Sequence, residues 1–152
     1  LDADTSGLLV LTNDGAIAHV LAHPSFGVTK TYIATVRGEV TPATMRKLEK
    51  GIELDDGPIQ ADRARIVGEA SRGKTIVEIT LHSGRNRIVR RMLAAVGHPV
   101  LELVRRQFGP LHLGTLPMGR TREITRVELG ELLTIARKSD VGTERPSEDS
   151  GE

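Results

Sequence analysis

The stretch Leu1-Asp2-Ala3-Asp4-Thr5-Ser6-Gly7-Leu8-Leu9-Val10-Leu11-Thr12-Asn13-Asp14-Gly15 opens with two carboxylates, two hydroxyls and a glycine set before a short apolar run. The run Leu8–Thr12 is predicted to be a buried strand, ended by Asn-Asp-Gly, a strong turn signal. Loop carboxylates that lead into a buried strand sit at the rim of a sheet, within reach of a substrate. This opening predicts both a sheet and a site at its edge.

Outward from it, Asp14–Ala22 reads as a short helix, capped by Asn13 and stopped near Pro24. Lys30–Arg37 alternates and is rich in β-branched residues, the pattern of a strand. Thr41 before Pro42 marks a helix start, and that helix should run to about Lys50, ahead of Gly51. Ala61–Gly68 and Thr75–Leu81 are predicted strands, joined through Ser71-Arg72-Gly73-Lys74. A helix over Asn86–Val96 closes at Gly97, a strand over Leu101–Phe108 ends at Gly109-Pro110, and Arg126–Arg137 is the last helix. The order β-α-β-α-β-β-α-β-α, with hairpin-like links, predicts an α+β fold: a mainly antiparallel mixed sheet flanked by short helices.

At 152 residues there is room for one domain with a real core and hardly for two. Phe26, Phe108 and Tyr32 are the only aromatic residues, so Leu, Val, Ile and Ala must build the core. Aromatic stacking then adds little to any nucleic-acid site. The chain has no cysteine, which excludes disulfides, thiolate nucleophiles and Cys-ligated zinc. That suits a reducing compartment, and a cytoplasmic location is expected. No run approaches the ~18 apolar residues of a membrane span, and no signal peptide is visible, so no membrane partner is expected.

The net charge of +1 hides a split: residues 139–152 hold five acids and one base, leaving +5 on residues 1–138. Residues 138–152 are expected as a disordered acidic tail behind a folded domain over 1–137. The mildly basic folded part suits an RNA partner without requiring one. A monomer is expected. The chain starts with Leu inside a motif and is read as lacking its natural N-terminus.

Two constellations carry chemistry. Asp2 and Asp4 are solvated loop carboxylates in the plainest reading, and no His or acid cluster nearby argues for a metal. The second is Ser83-Gly84-Arg85-Asn86-Arg87-Ile88-Val89-Arg90-Arg91-Met92-Leu93, four arginines in seven residues at a helix start. Ser83 or Asn86 can cap that helix, and its free N–H groups attract phosphate. Arg90 lies on a flank beside Ile88, Val89, Met92 and Leu93, and an arginine near an apolar face needs an acid. Asp2 with Arg90 is therefore an expected pair. A solvated basic helix start is the simpler alternative. Tyr32 is either a plain strand aromatic or a phenol whose hydroxyl meets a partner in a pocket. His19 and His23, at i and i+4, lack a third ligand for zinc and read as helix-face histidines.

The order Leu-Asp-x-Asp-Thr-Ser-Gly-Leu-Leu resembles the signature loop of pseudouridine synthases, and Gly84-Arg85-Asn86-Arg87-Ile88-Val89-Arg90-Arg91-Met92 resembles their third motif. Lys30-Thr31-Tyr32 and Glu102-Leu103-Val104-Arg105-Arg106 match further motifs, and Gly109 to Gly119, Arg122-Glu123-Ile124 and Glu128 are similar to the RsuA/RluB-type branch that modifies ribosomal RNA. The resemblance covers residues 1 to about 137. The branch's N-terminal S4-type RNA-binding domain and its Lys-Pro strand have no counterpart in this sequence, and Arg87-Ile88 stands where the branch often has His-Gln.

The resemblance implies a pseudouridine synthase-like catalytic domain that isomerises a specific uridine of ribosomal RNA, more readily of the large subunit, with no metal and no other cofactor. Asp2 would be the catalytic aspartate, by attack on the sugar or by proton removal. Arg90 would be its basic partner, Tyr32 would contact the uracil and move the C5 proton, and Leu103 would wall the pocket. Arg85, Arg87, Arg91, Arg105 and Arg106 are expected to contact RNA phosphates. A non-catalytic RNA-binding or ribosome-assembly module would use the same basic face without a productive carboxylate, and a generic α+β interaction domain would bind no RNA.

Overall fold

The computed structural model describes residues 1–143. Its elements are β1 (Ser6–Gly7), α1 (Gly15–Ala22), β2 (Lys30–Arg37), α2 (Pro42–Lys50), β3 (Ile52–Leu54), β4 (Gly57–Ile59), β5 (Arg63–Ser71), β6 (Lys74–Leu81), α3 (Ile88–Ala95), β7 (Val100–Phe108), β8 (Leu111–His112) and α4 (Arg126–Thr143). A single 3-10 turn, Pro24–Phe26, follows α1. The main sheet runs β1-β7-β2-β6-β5, with β8 paired to β7, and β3 and β4 form a separate hairpin. All pairs are antiparallel except β1 with β7. This is the expected α+β fold, a mixed, mainly antiparallel sheet.

One face of the sheet is apolar because Ala34, Val36, Val77, Ile79 and Leu81 alternate inward. They meet Met45 and Leu48 of α2 and Val89, Met92 and Leu93 of α3. Leu48, Met92 and Leu93 are fully buried, so truncation of any of them to Ala costs about 2–5 kcal/mol. Thr41 accepts from the Thr44 amide at 3.3 Å and Pro42 opens the first turn, so α2 begins where the sequence predicts. A second cluster, Leu21, Val28, Phe108 and Leu132, docks α1 and α4. α4 starts with a reciprocal cap. The Thr125 amide donates to Glu128 Oε1 at 2.9 Å and the Glu128 amide to Thr125 Oγ1 at 3.1 Å. Arg122 forks onto the same carboxylate at 2.7 and 2.8 Å and pushes its pKa down to about 2.

Several boundaries differ from expectation. The Leu8–Thr12 run forms no strand. Leu8 donates to the Arg105 carbonyl at 2.8 Å, and the chain then leaves β7. Its alternation is real, since Leu8 and Val10 pack on the second cluster while Leu9 and Leu11 are exposed, but among the described residues no ladder partner lies beside it. Asp14, not Asn13, caps α1, accepting from the Ala16 and Ile17 amides at 2.9 and 3.3 Å. The β3–β4 hairpin was not expected. α4 runs on past Arg137 to Thr143, and residues 144–152 of the expected tail lie outside the described residues.

Candidate active site

Gly7 fixes the loop that carries Asp2. It has a φ of 110°, and a Cβ there would lie 2.6 Å from the Arg105 amide nitrogen. Only glycine lets β1 approach β7 this closely. Upstream, the Thr5 amide donates to the Asp2 carbonyl at 3.0 Å, closing a turn. Asp2 is thereby held beside β7, where it lines an open cleft of about 210 Å³.

The cleft joins residues far apart in sequence: Asp2, Thr5, Lys30, Tyr32, Arg90, Leu103 and Arg105, with the segment 83–89 as one wall. Asp2, Tyr32, Arg90 and Leu103 thus converge, and Arg85, Arg87 and Arg105 also border the space. Arg91 and Arg106 do not. Tyr32 stands opposite Arg105 across the β2–β7 pair, on the core side of the sheet. Leu103 is buried beneath them.

The ion pairs differ from expectation. The carboxylate that Arg90 approaches is that of Asp4, not Asp2: its Nη2 donates to the Asp4 carbonyl at 2.7 Å and reaches Thr5 Oγ1 at 3.4 Å, and its Nε lies 3.6 Å from Asp4 Oδ2. That Nε is buried and has no hydrogen-bond partner among the described residues. Asp2 instead faces Arg87, whose Nη1 is 3.6 Å from Asp2 Oδ2. Arg87 grips Asp4 with two parallel bonds of 2.9 Å. The cause is backbone geometry. Arg87 has a φ of 51° and caps α3 in a left-handed conformation, so the helix starts at Ile88 rather than Asn86 and the Arg87 side chain swings over the Asp loop. The bond from Arg87 holds the Asp4 carboxyl below the usual carboxylate range, helped by the charge of Arg90.

Sequence reasoning gave no role to Lys30, which the structure places in the cleft. Burial and then the neighbouring Arg105 charge push its ammonium pKa down. Its Nζ is 5.3 Å from the Phe108 ring centroid, and Arg105 stacks on the same ring at 4.6 Å. Arg105 is anchored by donation from Nε to the Leu8 carbonyl at 2.9 Å. Asp56, at the β3–β4 tip, was also missed. It pairs with both Arg85 and Arg91. The Asp-Asp-Gly turn signal was available for it, but charge pairing across 29 residues of sequence was not. Among the described residues no three His, Asp or Glu side chains cluster as metal ligands. His23 Nδ1 bonds Ser25 Oγ at 2.7 Å, and its ring packs 4.8 Å from that of His19.

Comparison with known proteins gives the class. The family model for RNA pseudouridylate synthase matches residues 1–95, and the chain belongs to that family. It is 54% identical over 132 residues to an uncharacterized RNA pseudouridine synthase of Mycobacterium tuberculosis, covering 87% of this chain and 52% of that protein. It is 44% identical over 137 residues to the ribosomal large subunit pseudouridine synthase B of Bacillus subtilis, covering 90% of this chain and 56% of the other. The chain therefore spans about half the length of the curated relatives it matches. A crystal structure of a pseudouridylate synthase superposes with a TM-score of 0.76 at 32% identity, covering 87% of this chain and 56% of that one. No described helix is long and apolar enough to cross a membrane.

Proposed function

We propose that residues 1–137 form a catalytic domain that isomerises a uridine of ribosomal RNA, in the large subunit, to pseudouridine. The reading takes the protein as a cytoplasmic monomer. The observation that carries it is the convergence of Asp2, Tyr32, Arg90 and Leu103 on one cleft, in a chain of the RNA pseudouridylate synthase family.

In the proposed reaction the N1–C1′ bond breaks, the uracil turns, and C5 bonds to C1′. The C5 proton leaves and N1 gains one, so the net change is an isomerisation that consumes no co-reactant. Asp2 supplies the carboxylate, either to C1′ as nucleophile or to a sugar proton as base. The unpartnered Arg90 Nε is a ready donor for that carboxylate once substrate rearranges the Asp2–Arg87 contact. Tyr32 lies against the uracil and assists loss of the C5 proton, while Leu103 floors the pocket. The target base leaves its stack to enter, as for other enzymes that act on a base. Arg87 and Arg105 border the entrance and are assigned to phosphates, with Arg106 as an outer contact, while Arg85 and Arg91, held by Asp56, brace the cleft wall instead.

The test is pseudouridine mapping of ribosomal RNA from cells lacking the gene, with rescue by the wild-type or the Asp2→Asn protein. Return of a missing site by the wild type alone supports the reaction and the aspartate. Absence of any missing site replaces this reading with a non-catalytic RNA-binding module.

A further inference from the structure

A second large hollow lies on the opposite side of the sheet. Tyr32, Ala34, Ile79 and Leu103 face the core and the cleft, whereas Thr31, Glu78 and Thr80 face away into an open trough of about 380 Å³. The trough crosses β7, β2, β6 and β5, roughly 14 Å at about 4.8 Å per strand. A bulge aims β7 into it. Thr31 pairs with Gln107 and Tyr32 with Arg105, so Arg106 is the extra residue between them. Arg106 and Gln107 therefore both line the trough, while Arg105 stays on the cleft side. Bulges commonly re-aim side chains in this way beside functional sites.

The floor is built around a buried carboxylate. Glu78, its side chain 8% exposed, accepts from Arg65 Nε and Nη2 at 2.9 and 3.2 Å and from Arg106 Nη1 at 3.4 Å. Removing one of its partners would be costly, so Glu78 holds the two guanidinia in place. Their side chains remain 49% and 58% exposed, with N–H groups to spare. Arg63 adds a third guanidinium at the rim. Thr31 and Thr80 place their hydroxyls 3.0 Å apart between the arginines.

We propose that this trough binds the phosphodiester backbone of RNA as a second contact surface, separate from the cleft; the choice of RNA rests on the function proposed above. Phosphates are contacted by Arg, Thr and Gln side chains, which dominate the lining. A protein-binding patch has an apolar or aromatic centre, and among the described residues no apolar side chain lines this trough. A short stem-loop cannot occupy both faces of a sheet at once, but a larger folded RNA can.

The experiment compares a short uridine-bearing stem-loop with a transcript of a large-subunit ribosomal RNA domain. Arg63→Glu weakens transcript binding about tenfold and lowers the slope of log affinity against log salt by about 0.7–0.9 per lost phosphate. It leaves stem-loop binding and turnover unchanged. Arg106→Ala weakens transcript binding in the same direction. Lys47→Ala with Lys50→Ala, a loss of equal charge on the solvated face of α2, changes transcript binding by less than about twofold. Unchanged transcript affinity in Arg63→Glu overturns the proposal, as does an equal loss on both RNAs. Poly-glutamate binding that Arg63→Glu abolishes, with RNA binding intact, reassigns the trough to an acidic protein. A wild type whose transcript binding depends on Arg63, but which converts neither RNA, refutes the catalytic reading and leaves this one standing.

Discussion

On the hairpin side of segment 83–91, Arg85 and Arg91 are the more fully bonded, with four and three hydrogen bonds. Arg85 donates to Asp56, to the Gly57 carbonyl at 3.1 Å and to the Pro58 carbonyl at 2.7 Å. Arg91 donates twice to the Asn86 carbonyl, at 2.9 and 2.6 Å, and to Asp56 at 2.8 Å. On the Asp-loop side, Arg87 holds Asp4, and Arg90 keeps a buried Nε without a hydrogen-bond partner among the described residues. The four arginines belong to one run of sequence, and the number of hydrogen bonds each makes separates them. The hairpin turn offers a carboxylate and two carbonyls, and the Asn86 carbonyl adds two bonds to Arg91. The Asp loop offers two carboxylates, the Asp4 carbonyl and the Thr5 hydroxyl, yet Arg87 and Arg90 make two hydrogen bonds each there, so they retain more donors for a substrate. The first pair buttresses the cleft wall, and the second pair faces the chemistry.

The largest effect should come from the Asp-loop side. Asp2→Asn keeps the shape and removes the charge, so turnover should vanish while RNA affinity stays near that of the wild type, measured by pseudouridine formation and filter binding. Strong residual turnover would remove Asp2 from the catalytic role. Arg90→Lys keeps the charge but loses the planar fork. Its kcat should fall about 10²-fold, within the range for loss of a positioned catalytic partner, with KM little changed. A rise in KM alone would make Arg90 a binding residue.

Asp56→Ala tests the buttress. If Arg85 and Arg91 brace the wall, freeing them loosens segment 83–87 and displaces Arg87, whose left-handed backbone is unfavourable for a non-glycine residue. kcat should drop about tenfold, less than the 10² that a full 1 Å misplacement can cost. Trypsin should cut after Arg85 and Arg87 several-fold faster than in the wild type, while the melting temperature moves little. If the two arginines are phosphate contacts that Asp56 masks, the same variant should instead bind RNA more tightly, with a steeper salt dependence. That outcome would erase the distinction between the two sides.

Much of this site is legible in the sequence, and the reason lies in its motifs. The Asp loop, Tyr32, Arg90 and Leu103 sit on elements whose alternation or apolar face could be read, and the sheet brings them together. The partner of Arg90 could not be read. That depends on the positive φ of Arg87, and a non-glycine residue in that region leaves no mark in composition or spacing. The hairpin was hidden because Ile52–Leu54 and Gly57–Ile59 are too short for a periodicity to show. Alternation already puts Arg106 on the face opposite Arg105, but the bulge at Arg106 reverses the face that alternation assigns to Gln107, and spacing gives no sign of it.

The smallest effect, and the finest separation of the two networks, is their response to acid. Both carboxylates lie below their ordinary value of 3.8: Asp4 chiefly through its bond from Arg87, and Asp56 much further through bonds from Arg85 and then Arg91. A depressed carboxylate stabilises the fold above its unfolded pKa, and that contribution disappears as pH falls through the folded value. Acidification from about pH 4 should therefore open the Asp4–Arg87 contact first and leave the Asp56 clamp closed. The overall change in stability is small because all these side chains are substantially exposed. Carboxyl carbon shifts followed by NMR report each group separately. Asp4 should titrate at higher pH than Asp56, and in Arg91→Ala the Asp56 midpoint should move up toward that of Asp4. If Asp56 titrates with Asp4 in the wild type, the hairpin arginines are no more committed than those of the Asp loop, and the buttress is no stiffer than the site it supports.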